Sequence, residues 1–270
     1  MKKLGDPLVL GPRPLVRSTA ELGSRARDLE GRPGTYKLVR GTWVCSGVPL
    51  TPIRRSLLLH DHYSKDGVGL SITGIHALQL FTLPVGYTKR WVNEFLGDPP
   101  PMRARELSRA YDVPHLAWTE SRPTVREQGM RLTKSYGLKT FAGPWGTRLV
   151  HPVEALVAAA PYLSQWRLTA CLDALLSGEL QIPEFTPQPA MTKDDMTAAI
   201  SLLPARNPAV IALKRALVNA AEPVWSPMET LVRRMVVTQD FPEPTLNHPV
   251  MIEGNLAYPD LSWPELRLGI

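Results

Sequence analysis

The sequence predicts an α+β protein whose 270 residues form three successive parts. Two proline-rich stretches, 97–101 and 181–189, interrupt the chain, because proline stops a helix and restricts the residue before it. Between them, segments of helical spacing alternate with short strand-like segments, and no internal repeat is present. We therefore expect parts at 1–97, 102–180 and 190–270, in a chain long enough for two or three modest cores.

The first part opens with a short helix and a basic strand pair. Ser18 is a typical N-cap for a helix over 19–29. The segment 35–45 alternates as two strands do, and Arg40-Gly41 supplies the turn between them.

Two further helices are expected in the first part. The Leu-rich stretch 54–63 predicts one, and Ser71 is expected to cap the other, which runs to Leu80. Two helices and a basic strand-turn are the components of a winged-helix-like module, although their order here is imperfect.

The middle part combines strands with two strong helices. Short strands are predicted at 113–118, 130–135 and 147–150. Pro152 begins a helix with one apolar face, and a second helix over 164–176 ends at Gly178.

The last part is predicted to be mostly helical before its final strands. Thr192, Asn207-Pro208 and Ser226-Pro227 each carry a helix-start signal, because a polar N-cap side chain accepts from the first free N–H groups. Asp194 and Asp195 fit the start of the first of these helices.

Positive charge is concentrated in the front half. Residues 1–150 carry 23 Lys and Arg against 12 Asp and Glu, whereas residues 151–270 carry 8 against 13. A basic front half suits a polyanion, since neutralising phosphates releases counterions, but a solvated basic surface has the same composition. The candidate contacts to double-stranded DNA are Arg17, Arg25, Arg27, Arg32, Lys37 and Arg40, with Arg54 and Arg55 behind them.

The composition excludes a membrane span and favours a cytoplasmic location. No run of 18 apolar residues occurs, and Asp6 and Pro7 interrupt any signal-peptide core after the basic start. Cys45 and Cys171 lie far apart without metal-ligand spacing, so we expect reduced thiols.

Histidines and tryptophans give no stronger site. His60, Asp61 and His62 are adjacent on a helix and diverge, which argues against a shared metal. His76 fits a buried, hydrogen-bonded core position, and Trp118, Trp145 and Trp166 fit the core as well.

Glu229 and Asp260 are the candidate metal ligands. Restriction-type nucleases place a helix Glu and a strand Asp around Mg²⁺, which activates water and neutralises phosphate charge. Glu229 could instead favour a helix N-terminus, and Asp260 could be a turn acid after Pro259. The alternation of Leu266, Leu268 and Ile270 predicts a half-buried second strand.

The segment 216–270 resembles the start of the Vsr-like endonuclease domain of actinobacterial proteins. The resemblance rests on Ser226-Pro227-Met228-Glu229, Phe241-Pro242-Glu243-Pro244, Asn247 and Asp260-Leu261-Ser262-Trp263-Pro264-Glu265. It implies an incomplete restriction-endonuclease-like part with Glu229 and Asp260 as vestigial catalytic residues. In that family the next residue after the position of Ile270 is an acidic ligand, so we expect this chain not to cleave DNA.

The front and middle of the chain resemble AbiEi-type antitoxins more loosely. The matching motifs are Arg40-Gly41-Thr42-Trp43, Ser71-Ile72-Thr73-Gly74, Pro152-Val153-Glu154-Ala155-Leu156 and Leu172-Asp173-Ala174-Leu175-Leu176. The resemblance implies a DNA-binding module at 1–97, an α+β domain at 102–180 and a truncated nuclease-related domain at 190–270.

Three functions follow as expectations. The first is a sequence-specific DNA-binding repressor of antitoxin or phage-immunity type, without a cofactor and with a homodimer as one option. The second is a Mg²⁺-dependent endonuclease, and the third is an antitoxin that neutralises a toxin protein.

Overall fold

The computed structural model describes residues 10–64, 69–120, 129–178 and 180–270 of a mixed α+β fold. The basic N-terminal segment that contains Asp6 and Pro7 lies outside these residues. The helices of the described chain are α1 (Thr19–Leu22), α2 (Pro52–Ser64), α3 (Gly74–Leu80), α4 (Arg90–Leu96), α5 (Leu107–Asp112), α6 (Pro152–Ala159), α7 (Gln165–Ser177), α8 (Lys193–Ser201), α9 (Pro208–Val218) and α10 (Pro227–Thr238). Short 3-10 segments cover Gly23–Leu29, Ala104–Glu106, Pro144–Gly146 and Pro264–Leu266.

The strands of the described residues are short. They are β1 (Leu15–Ser18), β2 (Thr35–Val39), β3 (Thr42–Cys45), β4 (Leu70–Ile72), β5 (His115–Trp118), β6 (Arg131–Lys134), β7 (Phe141–Ala142), β8 (Arg148–Leu149), β9 (Thr245–Leu246), β10 (Val250–Ile252), β11 (Asn255–Ala257), β12 (Leu261–Trp263) and β13 (Leu268–Gly269). They form a front sheet β1-β3-β2, a central sheet β6-β5-β4-β8-β7, a hairpin β10-β11 and a last sheet β13-β12-β9.

The front sheet confirms the strand pair predicted at 35–45. β1 and β2 both pair antiparallel with β3, and Gly41 takes the positive φ (+78°) that the tight turn after Arg40 requires. Because side chains alternate between the two faces of a strand, one face carries Val16, Tyr36 and Val44, which pack into the core. The other face carries Arg17, Lys37 and Trp43, of which the two cations are exposed and the tryptophan is buried.

The central sheet crosses the predicted boundary between the first and middle parts. β4 lies between β5, which it meets antiparallel, and β8, which it meets parallel. Both partners follow the proline-rich stretch 97–101 in sequence, so the central sheet combines strands from both sides of the boundary expected there. One apolar core extends from Leu10 to Ala220 and includes Leu180 and Ile182, so it contains residues from both sides of the second expected boundary.

The helix predicted to begin at Ser71 begins later. Residues 70–72 are fully buried and form β4, and Thr73 is the N-cap of α3. The prediction failed because this strand is only three residues long, too short for the alternation of Leu70, Ser71 and Ile72 to be distinguished from the apolar pattern of the helix that follows.

The polar helix starts predicted from sequence are confirmed. Ser18 and Glu21 form a capping box at α1, and Thr192 and Asp195 form one at α8. Asn207 accepts from the N–H of Ala209 at α9, and Ser226 accepts from the N–H of Glu229 at α10. Asp195 therefore has a structural role at its helix start.

The end of the chain differs from the predicted half-buried strand. β13 contains only Leu268 and Gly269, and the 3-10 segment Pro264–Leu266 precedes it. The side chains of Leu266, Leu268 and Ile270 are all more than half exposed. The alternation of apolar residues in the sequence does not show whether another layer of the fold covers them. Here no other part of the described chain does.

Within the described residues, no helix has both the length and the apolar character needed to cross a membrane.

Candidate nucleic-acid interface and carboxylate pair

Six of the eight predicted DNA-contacting cations lie exposed on one module of the fold, which we call the front basic surface. Its members are distributed over β1, the 3-10 segment after α1, the loop before β2, β2 itself and the turn to β3. They are Arg17, Arg25, Arg27, Arg32, Lys37 and Arg40. None of the six forms an ion pair with another residue of the described chain.

Two of these cations flank a tryptophan on the outer face of the front sheet. Arg17 in β1 and Lys37 in β2 both pair directly with Trp43 in β3, so the three side chains project from the same face in one row. Trp43 is only 8% exposed, whereas both cations are exposed. The row places one positive charge on each side of the Trp43 ring.

Backbone contacts fix the surrounding segments to this sheet. The N–H of Thr19 donates to the carbonyl oxygen of Gly41 at 2.7 Å, which holds the Arg40 turn against the start of α1. The hydroxyl of Thr35 lies 2.7 Å from the carbonyl oxygens of both Leu29 and Arg32. These hydrogen bonds attach the segment that carries Arg25 and Arg27 to the strands of the front sheet. The cations therefore lie on segments that are held together by hydrogen bonds.

Arg54 does not belong to this surface. It is 3% exposed, and its guanidinium donates to the carbonyl oxygens of Pro49 at 2.8 Å and Pro12 at 3.3 Å. It also lies 5.9 Å from the ring centroid of Trp145. The side chain of Arg54 is therefore buried and hydrogen-bonded to backbone, and it is not at the surface where a DNA contact was expected.

Arg55 is half-buried on α2, next to Arg54. Its Nε atom is inaccessible to solvent and has no hydrogen-bond partner among the described residues. The guanidinium of Arg55 is therefore less available to a partner than the six exposed cations.

The front basic surface is not free of acids. Glu21, Asp28 and Glu30 are exposed in the same stretch of chain. Glu21 accepts from the backbone N–H of Ser18 at 2.9 Å and so participates in the helix cap. Six unpaired cations against these three acids leave the module net positive.

The helices behind the front sheet offer no groove-reading face. In α3, every residue from Gly74 to Leu80 except Gln79 is buried, and α2 buries Ile53 through His60 apart from Arg55. A helix that reads a major groove must present side chains to the bases. The exposed cations of this module lie instead on its strands, its turn, the 3-10 segment and the loop before β2.

Glu229 and Asp260 occupy neighbouring but different environments. Glu229 is 5% exposed, and its Oε2 atom accepts from the N–H of Trp225 at 2.9 Å and from Nδ2 of Asn247 at 3.1 Å. Asp260 is exposed immediately before β12, and its backbone carbonyl accepts from the N–H of Asn247 at 3.3 Å. Asn247 thus connects the two predicted ligands.

This arrangement favours a structural role for Glu229. One oxygen of its carboxylate already accepts two protein hydrogen bonds at the start of α10. Among the residues described, no group of three or more His, Cys, Asp or Glu side chains is placed to hold a metal ion. The two carboxylates could contribute to a Mg²⁺ site only together with water or phosphate oxygens.

The buried histidines are hydrogen-bonded parts of the core, as was predicted for His76. Its Nδ1 lies 2.6 Å from the Ser56 hydroxyl and its Nε2 lies 2.6 Å from the carbonyl oxygen of Tyr111. Burial lowers the pKa of His76, and it lowers the pKa of His60 to about 4 and that of His115 to about 3. These side chains are uncharged at neutral pH.

The predicted positions of the tryptophans and cysteines hold in large part. Trp166 and Cys171 are buried, while Trp118, Trp145 and Cys45 are partly buried. Both cysteines are free thiols, and burial raises the pKa of Cys171 to about 12.

No protein-family model matches the chain, and no curated protein or solved structure is significantly similar to it.

Sequence reasoning missed the side-chain relationships that organise these sites. Trp43 stands between Arg17 and Lys37 only because of strand register, which the sequence does not specify. Asn247 was part of a motif, but its double contact to the Glu229 carboxylate and the Asp260 backbone depends on tertiary placement. A positive φ of 48° at Asn247 is a conformation that Asn tolerates better than most residues.

Proposed function

We propose that this protein binds double-stranded DNA through the front basic surface and acts as a DNA-binding regulator of the antitoxin or phage-immunity type. The observation that carries the proposal is the row of Arg17, Trp43 and Lys37 on the outer face of the front sheet. Four more exposed, unpaired cations surround it. The resemblance to AbiEi-type antitoxins points to the same function.

The geometry favours contact by a sheet and turn rather than by a helix. α3 is buried, so a winged-helix-like use of this module would depend on its strand-turn at Arg40 and not on a recognition helix. Arginine and lysine side chains on strands can contact phosphates or base edges.

Salt dependence of duplex binding tests the proposal. If each of the six cations neutralises one phosphate, log K falls against log salt with a slope of roughly −5. Fluorescence anisotropy with a labelled duplex at increasing NaCl measures this slope. Absence of binding at low salt, or binding that is insensitive to salt, would contradict the proposal.

A second candidate function is a Mg²⁺-dependent endonuclease. The observation that favours it is the bridge of Asn247 between Glu229 and the backbone of Asp260, which holds the two predicted ligands in one neighbourhood. The hydrogen bonds already made by Glu229 argue for the regulator as the first choice. Neutralisation of a toxin protein stays a prediction from the resemblance.

A further inference from the structure

A cavity of about 570 Å³ lies on the central part of the fold, apart from both sites described above. Its walls come from the segment 103–109, from β5 and β6, from α6 and from the start of α9. Pockets for small molecules in proteins span roughly 300–1,000 Å³. None of the cations of the front basic surface lines it, and neither do Glu229 and Asp260.

Cations outnumber acids on the walls of this cavity. The positive side chains are Arg103, Arg109, Arg131 and Lys134, and the acids are Glu106 and Glu154. Glu106 lies 3.3 Å from Arg131 and 3.8 Å from Arg103, so its charge is shared by two guanidinium groups. Glu154 is buried, accepts from the N–H of Tyr136 at 3.0 Å, and has its pKa raised by that burial.

Arg109 and Lys134 therefore lack an acidic partner within the described residues, and both are exposed at the cavity. Lys134 extends along the ring of Trp118, with Nζ 5.7 Å from the centroid. Positive charges that face a concave surface raise the local concentration of anions there.

Fixed polar groups complete the walls. The guanidinium of Arg131 lies 5.0 Å from the ring centroid of Tyr162, which restricts its orientation. His115 is buried beside Thr133, with Nε2 and the hydroxyl 3.2 Å apart. A preorganised wall of this kind lowers the entropy lost when a ligand binds.

Two other cavities in the described chain have a smaller excess of cations. One has Arg90 and Arg105 against Glu94 and Asp98, and the other has Lys193, Arg233 and Arg234 against Glu222 and Glu243. A cavity of about 640 Å³ near α4 contains Arg90, which pairs with Glu94 at 2.6 Å, together with the acid Asp98. A cavity of about 380 Å³ near α10 contains Arg233 and Arg234. Their guanidinium groups already interact with Glu243 and Asp98 respectively.

We propose that the 570 Å³ cavity binds a small organic or inorganic anion that carries phosphate or carboxylate groups, held by Arg109 against the wall formed by Arg131, with the charge of Lys134 at the edge of the cavity. Arginine binds both groups through paired N–H donors, and lysine adds a point charge. This binding does not depend on the proposed contact with DNA.

Calorimetric titration of the full chain with pyrophosphate and, separately, with citrate tests the proposal. We expect at least one of the two anions to bind, and Arg109→Ala and Lys134→Ala each to weaken its affinity about tenfold, because each removes a charge-assisted contact. Both side chains are exposed, so both variants should fold. The matched control is Lys139→Ala, which removes an exposed charge from the loop after β6 without touching the cavity.

The outcomes separate the two chemistries. Tighter binding of pyrophosphate indicates a phosphorylated ligand, and tighter binding of citrate indicates a polycarboxylate; either result supports the site if the two variants weaken it selectively. Failure of both anions to bind at millimolar concentration overturns the proposal. Equal weakening by Lys139→Ala also overturns it, since the anions would then respond only to overall charge.

Discussion

Asn247 donates its side-chain amide to the Glu229 carboxylate at 3.1 Å, while its backbone N–H reaches the carbonyl oxygen of Asp260 at 3.3 Å. The same Nδ2 atom lies 2.9 Å from the carbonyl oxygen of Pro223. One buried residue therefore ties the start of α10 to the loop that precedes it and to β12.

We expect Asn247→Ala to lower the free energy of unfolding by about 2–3 kcal/mol. The change leaves the buried Glu229 carboxylate without one donor, which costs about 1–3 kcal/mol, and it places Ala at a positive φ. Urea unfolding followed by circular dichroism measures the loss. Exposed Asn255→Ala is the matched control and should change stability by less than about 0.5 kcal/mol. An effect of Asn247→Ala no larger than the control would show that the bridge contributes nothing.

Removing charge from the front basic surface should weaken DNA binding selectively. Lys37→Ala, Arg17→Ala and Arg40→Ala should each reduce the steepness of the salt dependence by about 0.9 if the residue contacts a phosphate. A base-reading arginine would instead cost about 1–3 kcal/mol and relax sequence preference. Anisotropy titrations on one duplex and on its scrambled counterpart distinguish these cases.

Lys214→Ala is the control for that series, because Lys214 is exposed on α9 in the acidic half of the chain. Arg233 would be a poor control. It is buried and contacts Glu243 at 2.6 Å and Asp173 at 3.8 Å, so its removal would disturb folding. If Lys214→Ala weakens binding as much as Lys37→Ala does, the DNA-contacting face has been assigned wrongly.

The protein should be less stable at pH 5 than at pH 7. In the fold, burial holds the pKa of His60 near 4 and that of His115 near 3, below the ordinary value of 6.5. Below pH 6.5 the unfolded chain therefore binds more protons, and stability is lost as the pH falls towards the folded values. Two such groups lower the free energy of unfolding by about 2–4 kcal/mol between pH 7 and pH 5.

Asp173 opposes this trend and provides the check. Burial raises its pKa from 3.8 to about 6, so its contribution to stability decreases as the pH rises through that interval. Asp173→Asn should consequently steepen the loss of stability on acidification, whereas His60→Gln should reduce it. Urea titrations at both pH values measure the difference, and a wild-type stability that does not change between them would refute the assignment.

We expect no Mg²⁺-dependent cleavage of DNA by this chain. The Glu229 carboxylate already accepts hydrogen bonds from Trp225 and Asn247, and catalysis needs a metal held in fixed geometry next to an activated water. Supercoiled plasmid incubated with pure protein and Mg²⁺ or Mn²⁺ should remain intact. Nicking that disappears in both Glu229→Ala and Asp260→Ala would place the endonuclease first among the candidate functions.

Local signals in the sequence predicted local structure well. Ser18, Thr192, Asn207 and Ser226 mark helix starts because capping involves only residues a few positions apart. The Arg40-Gly41 turn was predictable for the same reason. The α+β class followed from these elements.

Relationships between distant segments were not predictable. Arg54 looked like a surface cation, but contacts with Pro12 and Pro49 bury it. Residues 70–72 do alternate, but three residues are too few to indicate a strand, and the strands that pair with them lie at 116–118 and 149. In each case the residues that determine the burial or the strand pairing lie far away in the chain, and no local sequence pattern identifies them.

The position of β4 has a consequence for how the chain folds during synthesis. β4 pairs Ile72 with Leu116 on one side and with Leu149 on the other. When the ribosome has released only the first hundred residues, this buried strand has neither neighbour, and its backbone groups need temporary partners. The central sheet can close only after β8 emerges, so one edge of β4 has no partner strand until Leu149 has been synthesised. An unpaired strand edge is prone to pair with other chains, and a chaperone that covers it would act during this interval.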